Sequence, residues 1–265
     1  MSVPANLRVG PFTTQALVKK SYLLYYIFLI WISIFAIQLE FWAYWNFFLN
    51  ILDYKFIHFI AFMPFLIFGM YVTAVFVSLI FAKLFLVIIN VIHPPREGTF
   101  LRDRSDRDYR YWSLRATIKK WPVWLAHKFP FPFLDNICFK MFDVKTKFSN
   151  SLFEGWVDCE FIEFGKDVTV GQATIIQSAT IAGDFFILRK TIIEDRVRIG
   201  AHCVIMPGTH IGKDSILASN SITMVGQHLE GGYIHSGQPA DKVKKNVFFE
   251  DDLEDKLKEQ FNKTR

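Results

Sequence analysis

The sequence predicts a two-part protein. A membrane α-helical anchor, two transmembrane helices plus an interfacial amphipathic helix, precedes an all-β parallel β-helix of about three to four coils. Three observations carry this expectation. Large aliphatics recur every sixth residue at Ile187, Ile193, Ile199, Ile205, Ile211 and Leu217. Smaller residues keep the same step at Thr191, Val197, Cys203, Thr209, Ser215 and Ser221. Two long apolar runs, residues 22–48 and 56–92, fill most of the N-terminal third. A period of six fits neither a helix nor a half-buried strand. It fits a three-sided coil of about eighteen residues, with one aliphatic per face pointing inward and a small residue near each corner.

Composition agrees with a divided chain. Of 265 residues 52% are hydrophobic, 17% are aromatic and 29 are Phe. A single soluble domain does not accommodate that bias, because it is concentrated in one region. The formal charge of +5 is modest and clustered. Three cysteines, Cys138, Cys159 and Cys203, have no short spacing. They imply a reducing compartment, with no disulfide framework and no zinc site.

The first run is too long for a signal-peptide core, and about 20 apolar residues span a bilayer. The second exceeds one span. Tilt, a kink near Pro64, or Lys83 snorkelling to the headgroups absorbs the excess. Division into two helices is the alternative, without a turn signal to support it. His93, Pro94 and Pro95 stop the run. Arg8, Lys19 and Lys20 precede the first span, and Arg96, Arg102, Arg104, Arg107, Arg110, Arg115, Lys119 and Lys120 follow the second. The positive-inside rule then puts both termini and the soluble part in the cytoplasm. Residues 1–93 form the anchor, with spans at about 21–48 and 56–92. Residues 94–139 form the interfacial amphipathic region, its aromatic rings at headgroup depth and its cations towards anionic lipid. Nucleic acid is not an expected partner, because membrane lipids already explain the basic and aromatic mixture.

Residues 140–247 form the solenoid. Phe148, Leu152, Val157 and Ile162 open it irregularly. Phe164, Val170 and Ile176 set one regular coil, 164–181. Residues 182–186 are a five-residue insertion, and coils 187–204 and 205–222 follow. The pattern ends after Val225. Residues 248–265 read as a short charged C-terminal helix.

The repeats Ile-Glu-Asp-Arg-Val-Arg, Ile-Gly-Ala-His-Cys-Val, Ile-Met-Pro-Gly-Thr-His and Ile-Gly-Lys-Asp-Ser-Ile resemble those of the left-handed β-helix, hexapeptide-repeat acyltransferases. The exit from Ser236 to Val243 is similar to their Gly-x-Pro-Ala-x-x-Val ending. The layout of spans, Arg/Trp-rich helix and solenoid also resembles one membrane repeat unit of the poly-lysine-synthetase type of non-ribosomal peptide synthetase. These resemblances imply a left-handed coil, a homotrimer, and transfer of an acyl group from a thioester to an amine or hydroxyl. The donor would be acyl-CoA or an acyl-carrier thioester, so a carrier protein is a possible partner. No metal is expected.

Removing the acceptor's proton needs a base, and His suits neutral pH. His202, three places after the inward Ile199, is the favoured candidate and His210, placed at a corner, the reserve. By resemblance Gly237, Pro239 and Ala240 lie near the adenine end of a CoA-like donor, with Lys242 meeting its phosphates as a point charge. Other readings remain open: an amide-forming unit of a synthetase-like system, or a trimeric membrane scaffold without chemistry.

Overall fold

A computed structural model describes residues 18–48, 56–129, 133–152 and 155–249. The flanking Arg8, the interspan loop and the C-terminal helix expected over 248–265 lie outside these residues, apart from Phe248 and Phe249. The chain divides into two compact units.

One unit is helical. It holds α1 (Leu23–Asn46), α2 (Phe56–Ile92) and α3 (Arg107–His127). Both α1 and α2 are long and apolar enough to cross a membrane. The second apolar run is one unbroken helix with Pro64 inside it. Gly69 of α2 receives the Glu40 side chain of α1, since a Cβ there would stand 2.8 Å from the carboxylate oxygen. Aromatic edges fill the rest of the seam, as where Phe85 meets Tyr25 and Phe28.

The expected direction of the α3 cations, outward to anionic lipid, is corrected for three of them. Asp106 caps α3 by accepting the Tyr109 N–H at 2.9 Å, but the helix is not half wet. Arg115, Lys119 and Lys120 are buried together with Trp112, Ile118 and Val123. α3 packs against both long helices: Trp121 donates to the Ser33 hydroxyl at 3.3 Å, and Tyr71 donates to the Leu125 carbonyl at 2.8 Å. Burial pushes the Lys120 ammonium down to about 8.

The other unit comprises residues 97–99 and everything described from 135 onward. Its strands are short and mostly parallel. One sheet holds β2 (Trp156–Val157), β5 (Ile175–Ile176) and β10 (Val204–Ile205). A second holds β3 (Ile162–Phe164), β8 (Thr191–Ile193), β11 (His210–Ile211) and β13 (His228–Leu229). A third holds β4 (Thr169–Val170), β9 (Arg198–Ile199), β12 (Ile216–Leu217) and β14 (Tyr233–Gly237), with β15 (Ala240–Lys245) antiparallel at its edge. Ile193 pairs with Ile211 and Ile211 with Leu229, and Ile199 pairs with Leu217 and Leu217 with His235. The chain therefore returns to the same sheet every eighteen residues.

Corner geometry explains the six-residue period. The second residue of successive turns has positive φ at Arg196, His202, Gly208, Asp214, Asn220 and Gly226. The left-handed turn reverses the chain just before each small buried residue, Cys203, Thr209, Ser215 and Ser221. A larger side chain has no space there.

Four expectations are corrected by this unit, and one strand is added. Ile187 is half-buried and not part of the stack. It belongs to a hairpin of β6 (Ala179–Ala182) and β7 (Phe185–Leu188), in which Thr180 pairs with Ile187. Successive inward positions Ile176 and Ile193 stand seventeen residues apart, not six, so eleven residues are inserted, not five. β1 (Gly98–Leu101), absent from the sequence reading, lies beside β7. The repeat also continues past Val225, because Leu229 and His235 are buried inward rungs. Phe148, finally, is exposed, with the Lys140 ammonium 3.6 Å from its ring centroid.

Candidate functional site

The outward side of the second sheet carries a column of functional side chains. Register places Glu163 beside Ile192, Ile192 beside His210, and His210 beside His228. Alternation along each short strand dictates this, since Phe164, Ile193, Ile211 and Leu229 face inward. His210 is thus on a flat face, not at the corner expected from sequence.

Glu194 completes the arrangement. Its Oε1 lies 2.7 Å from His210 Nε2, and its Oε2 accepts the Lys213 N–H at 2.9 Å. One carboxylate oxygen is fixed by backbone while the other meets the imidazole. The His210 hydrogen bond is the main reason the Glu194 carboxyl is held below the usual carboxylate range, with the Lys213 N–H and the His228 ring adding to it. The His228 ring stands edge-on to His210 with centroids 4.7 Å apart. The His210 and Glu194 side chains keep 35% and 42% of their surface exposed, so a substrate can reach them.

Two clefts flank this column. One of about 600 Å³ is lined by Lys145, Lys147, Glu163, Ile192, Glu194 and Lys213. Glu163 there binds the Lys145 and Lys190 ammonium groups at 2.6 and 2.8 Å, which holds its carboxyl low. The other, of about 630 Å³, lies between Glu97, Gly98 and Thr99 on one side and Arg189, Gly208 and Gly226 on the other.

The remaining expected site residues fall elsewhere. His202 occupies the turn between β9 and β10 with φ of 57°. Its backbone N–H donates to Gln172, and among the described residues nothing hydrogen-bonds its ring. Gly237 has φ of 105° and precedes the cis Gln238–Pro239 bond between β14 and β15. Ala240 is buried and donates its N–H to the Ile222 carbonyl at 2.7 Å, while Ile222 donates to the Gly237 carbonyl at 3.0 Å. This exit turn closes the edge of the first sheet, through Ile222, which bridges Val204. Gln227, which precedes His228, joins the two regions: its side chain donates to the Ala240 carbonyl at 2.5 Å, and its carbonyl accepts the His210 N–H at 2.9 Å. Lys242 already binds Glu230 at 2.7 Å and stands 3.5 Å from the Tyr233 ring centroid. A phosphate would have to compete with both partners. Among the described residues no group of three or more His, Cys, Asp or Glu side chains is placed to hold a metal.

Residues 190–223 match the bacterial transferase hexapeptide (six repeats) family. No curated protein matches the chain. Similar solved structures include an N-acyltransferase from Bacillus cereus in complex with dTDP-4-amino-4,6-dideoxyglucose and coenzyme A. It is 24% identical with a TM-score of 0.30, over 39% of this chain and 60% of that one. A maltose O-acetyltransferase from Clostridium difficile 630 is 15% identical with a TM-score of 0.34, over 43% and 75%. A hexapeptide-repeat acetyltransferase from Vibrio cholerae is 20% identical with a TM-score of 0.36, over 45% and 84%. The likenesses are distant, and the chain spans under two thirds of the first of these proteins.

Proposed function

We propose that this protein is a membrane-anchored acyltransferase with a left-handed hexapeptide coil, in which His210 acts as general base. The observation that carries the reading is the His210–Glu194 pair, set on an open face of the matched repeats. An amine or hydroxyl of the acceptor attacks the thioester carbonyl. A C–N or C–O bond forms, the C–S bond breaks, and the acceptor's proton passes through His210 to the departing thiolate. Glu194 orients the ring and stabilises the imidazolium between these steps, which is the role a carboxylate plays beside a histidine base. His202 was the better candidate by sequence, but it lacks any such partner.

The donor is acyl-CoA or a carrier-bound thioester. Gly237, Pro239 and Ala240 are retained as the candidate donor region, and a homotrimer as the candidate assembly. The synthetase-like alternative has no observation in its favour beyond layout.

The test is an acyl-transfer assay on the purified oligomer, with release of free thiol as the readout. His210→Ala should lower kcat by about 10²- to 10⁴-fold. Glu194→Gln should lower it at least about tenfold with little change in donor KM. His202→Ala should leave it within about twofold. Full activity in His210→Ala, or loss in His202→Ala alone, reverses the assignment.

A further inference from the structure

The eleven-residue insertion enters at the edge between the first and second sheets. Gly208 and Gly226 occupy the same edge on the next two coils, with φ of 80° and 73°. The Arg189 side chain runs across both. A Cβ on Gly208 would stand 3.1 Å from Arg189 Cδ, and one on Gly226 would stand 3.1 Å from Arg189 Nη1. The glycines therefore do two things. They supply the left-handed turn, and they leave the channel in which the guanidinium lies.

Arg189 differs from the other two described arginines of this unit. Arg196 is held by Asp214 at 2.5 Å and Arg198 by Asp167 at 2.8 Å. Arg189 makes no ion pair among the described residues, and it is exposed to the cleft of about 630 Å³. Two further charges line the cleft. Glu97 accepts the Lys190 N–H at 2.8 Å, and the Lys190 ammonium binds Glu163 at 2.8 Å. The cleft is thus lined by one planar cation without an ion pair, by the Glu97 carboxylate and Lys190, and by Thr99 and two glycines. A guanidinium in that setting suits a phosphate or carboxylate, which it can grip with two parallel hydrogen bonds.

Two glycines of the cleft precede the histidines of the column on the same coils. His210 and His228 follow Gly208 and Gly226 by two residues, at the start of the strands after each turn. We propose that the cleft binds an oxyanion carried by the acyl acceptor, with Arg189 as the group that recognises it. The identity of this ligand as the acceptor rests on the acyl-transfer reading above. A small acceptor anchored there by phosphate or carboxylate would present an amine or hydroxyl a few bonds away to His210.

Two measurements on the full chain in nanodiscs test this. The first compares matched acceptors with and without the oxyanion. The soluble pairs are phosphoethanolamine with ethanolamine, and glycine with glycinamide. The lipid pair is phosphatidylglycerol with diacylglycerol, which separates a headgroup from a soluble source. At least one anionic member should be preferred in kcat/KM by about tenfold to a hundredfold, the range of a charge-assisted pair. Arg189→Gln should bring that ratio to about one, while Arg196→Gln should not. The second measurement needs no turnover. Phenylglyoxal labelling of Arg189, read by peptide mass spectrometry, should slow about tenfold in millimolar inorganic phosphate or acetate, in wild type and in His210→Ala alike. If no anion protects Arg189 and Arg189→Gln leaves the acceptor ratio unchanged, the proposal is overturned. Protection without transfer to any acceptor upholds the oxyanion site and removes the acyl-transfer reading. Transfer without an Arg189-dependent ratio does the reverse.

Discussion

Single residues decide this protein's chemistry by their neighbours one coil away. His210 was legible only as a reserve candidate, and at a corner instead of on the flat face it occupies. Its partner Glu194 was not, because sixteen residues separate them and no local motif joins them. Wrapping the chain at eighteen residues per turn would have set Glu194 beside Gly212, and so next to His210 and Lys213. The same wrapping explains a pH dependence. Glu194, Glu163 and Asp214 are held below their ordinary range chiefly by His210, Lys145 and Arg196, respectively. A carboxylate that binds its proton less tightly when folded stabilises the fold above its unfolded value, about 4.3 for Glu and 3.9 for Asp. That contribution disappears as the pH falls through the lower folded value. Each pair is partly exposed, so its share is only up to about 1 kcal/mol. The unfolding midpoint of the solenoid unit should therefore hold steady from pH 7 to about 5 and fall below about 4. Thermal scans across that range would show it. The drop should shrink in a Glu163→Gln, Asp214→Asn double variant, and a drop of unchanged size would assign it to other groups.

At the level of elements, periodicity was informative where the coil is regular and misleading where it is interrupted. Ile187 has the right type and spacing to be a rung, yet it lies in a hairpin strand. Insertions of five and eleven residues differ by one hexapeptide, so both keep the later positions in phase. Only pairing distinguishes them: β5 and β10 are joined directly, with Ile176 beside Ile205. β1 was invisible for a related reason. Four residues, Gly98–Leu101, carry no pattern of their own and become a strand by adding to β7. The α3 cations were expected to face anionic lipid, whereas Arg115, Lys119 and Lys120 are buried against neighbouring side chains, because nothing in a helix's own pattern says what packs on it. The rung assignment can be checked by truncation. Ile205 is fully buried in β10, so Ile205→Ala should cost about 2–5 kcal/mol through lost contacts and a residual cavity. Ile187→Ala, at a half-buried hairpin position, should cost clearly less. Hydrogen exchange over residues 190–223 in the two variants compares them, and equal losses of protection would restore Ile187 to the stack.

For the whole molecule, the apolar surface of the helical unit asks for a solvent other than water. Trp31, Trp42, Phe65, Leu84 and Val91 are all more than half exposed on α1 and α2. Continuous apolar surface of that extent is not sustained in water. A core helix of a soluble protein would be mostly buried, whereas only 11% and 39% of the apolar windows of the two helices are. We therefore infer that lipid covers them, with the positive-inside rule orienting the chain. Cations from Arg96 to Arg110 follow α2 directly, and the inferred orientation puts the residues after it on the cytoplasmic side. This has a direct test. The three native cysteines are buried, so a single introduced thiol reports alone. Asp184, at the exposed tip of the β6–β7 hairpin, is the site of choice. In intact cells Asp184→Cys should resist a membrane-impermeant maleimide and react once the cells are opened. The chain should stay with the membrane through an alkaline carbonate wash and leave it only in detergent. Labelling of intact cells would invert the topology, and release by carbonate would show that α1 and α2 find their cover in protein instead.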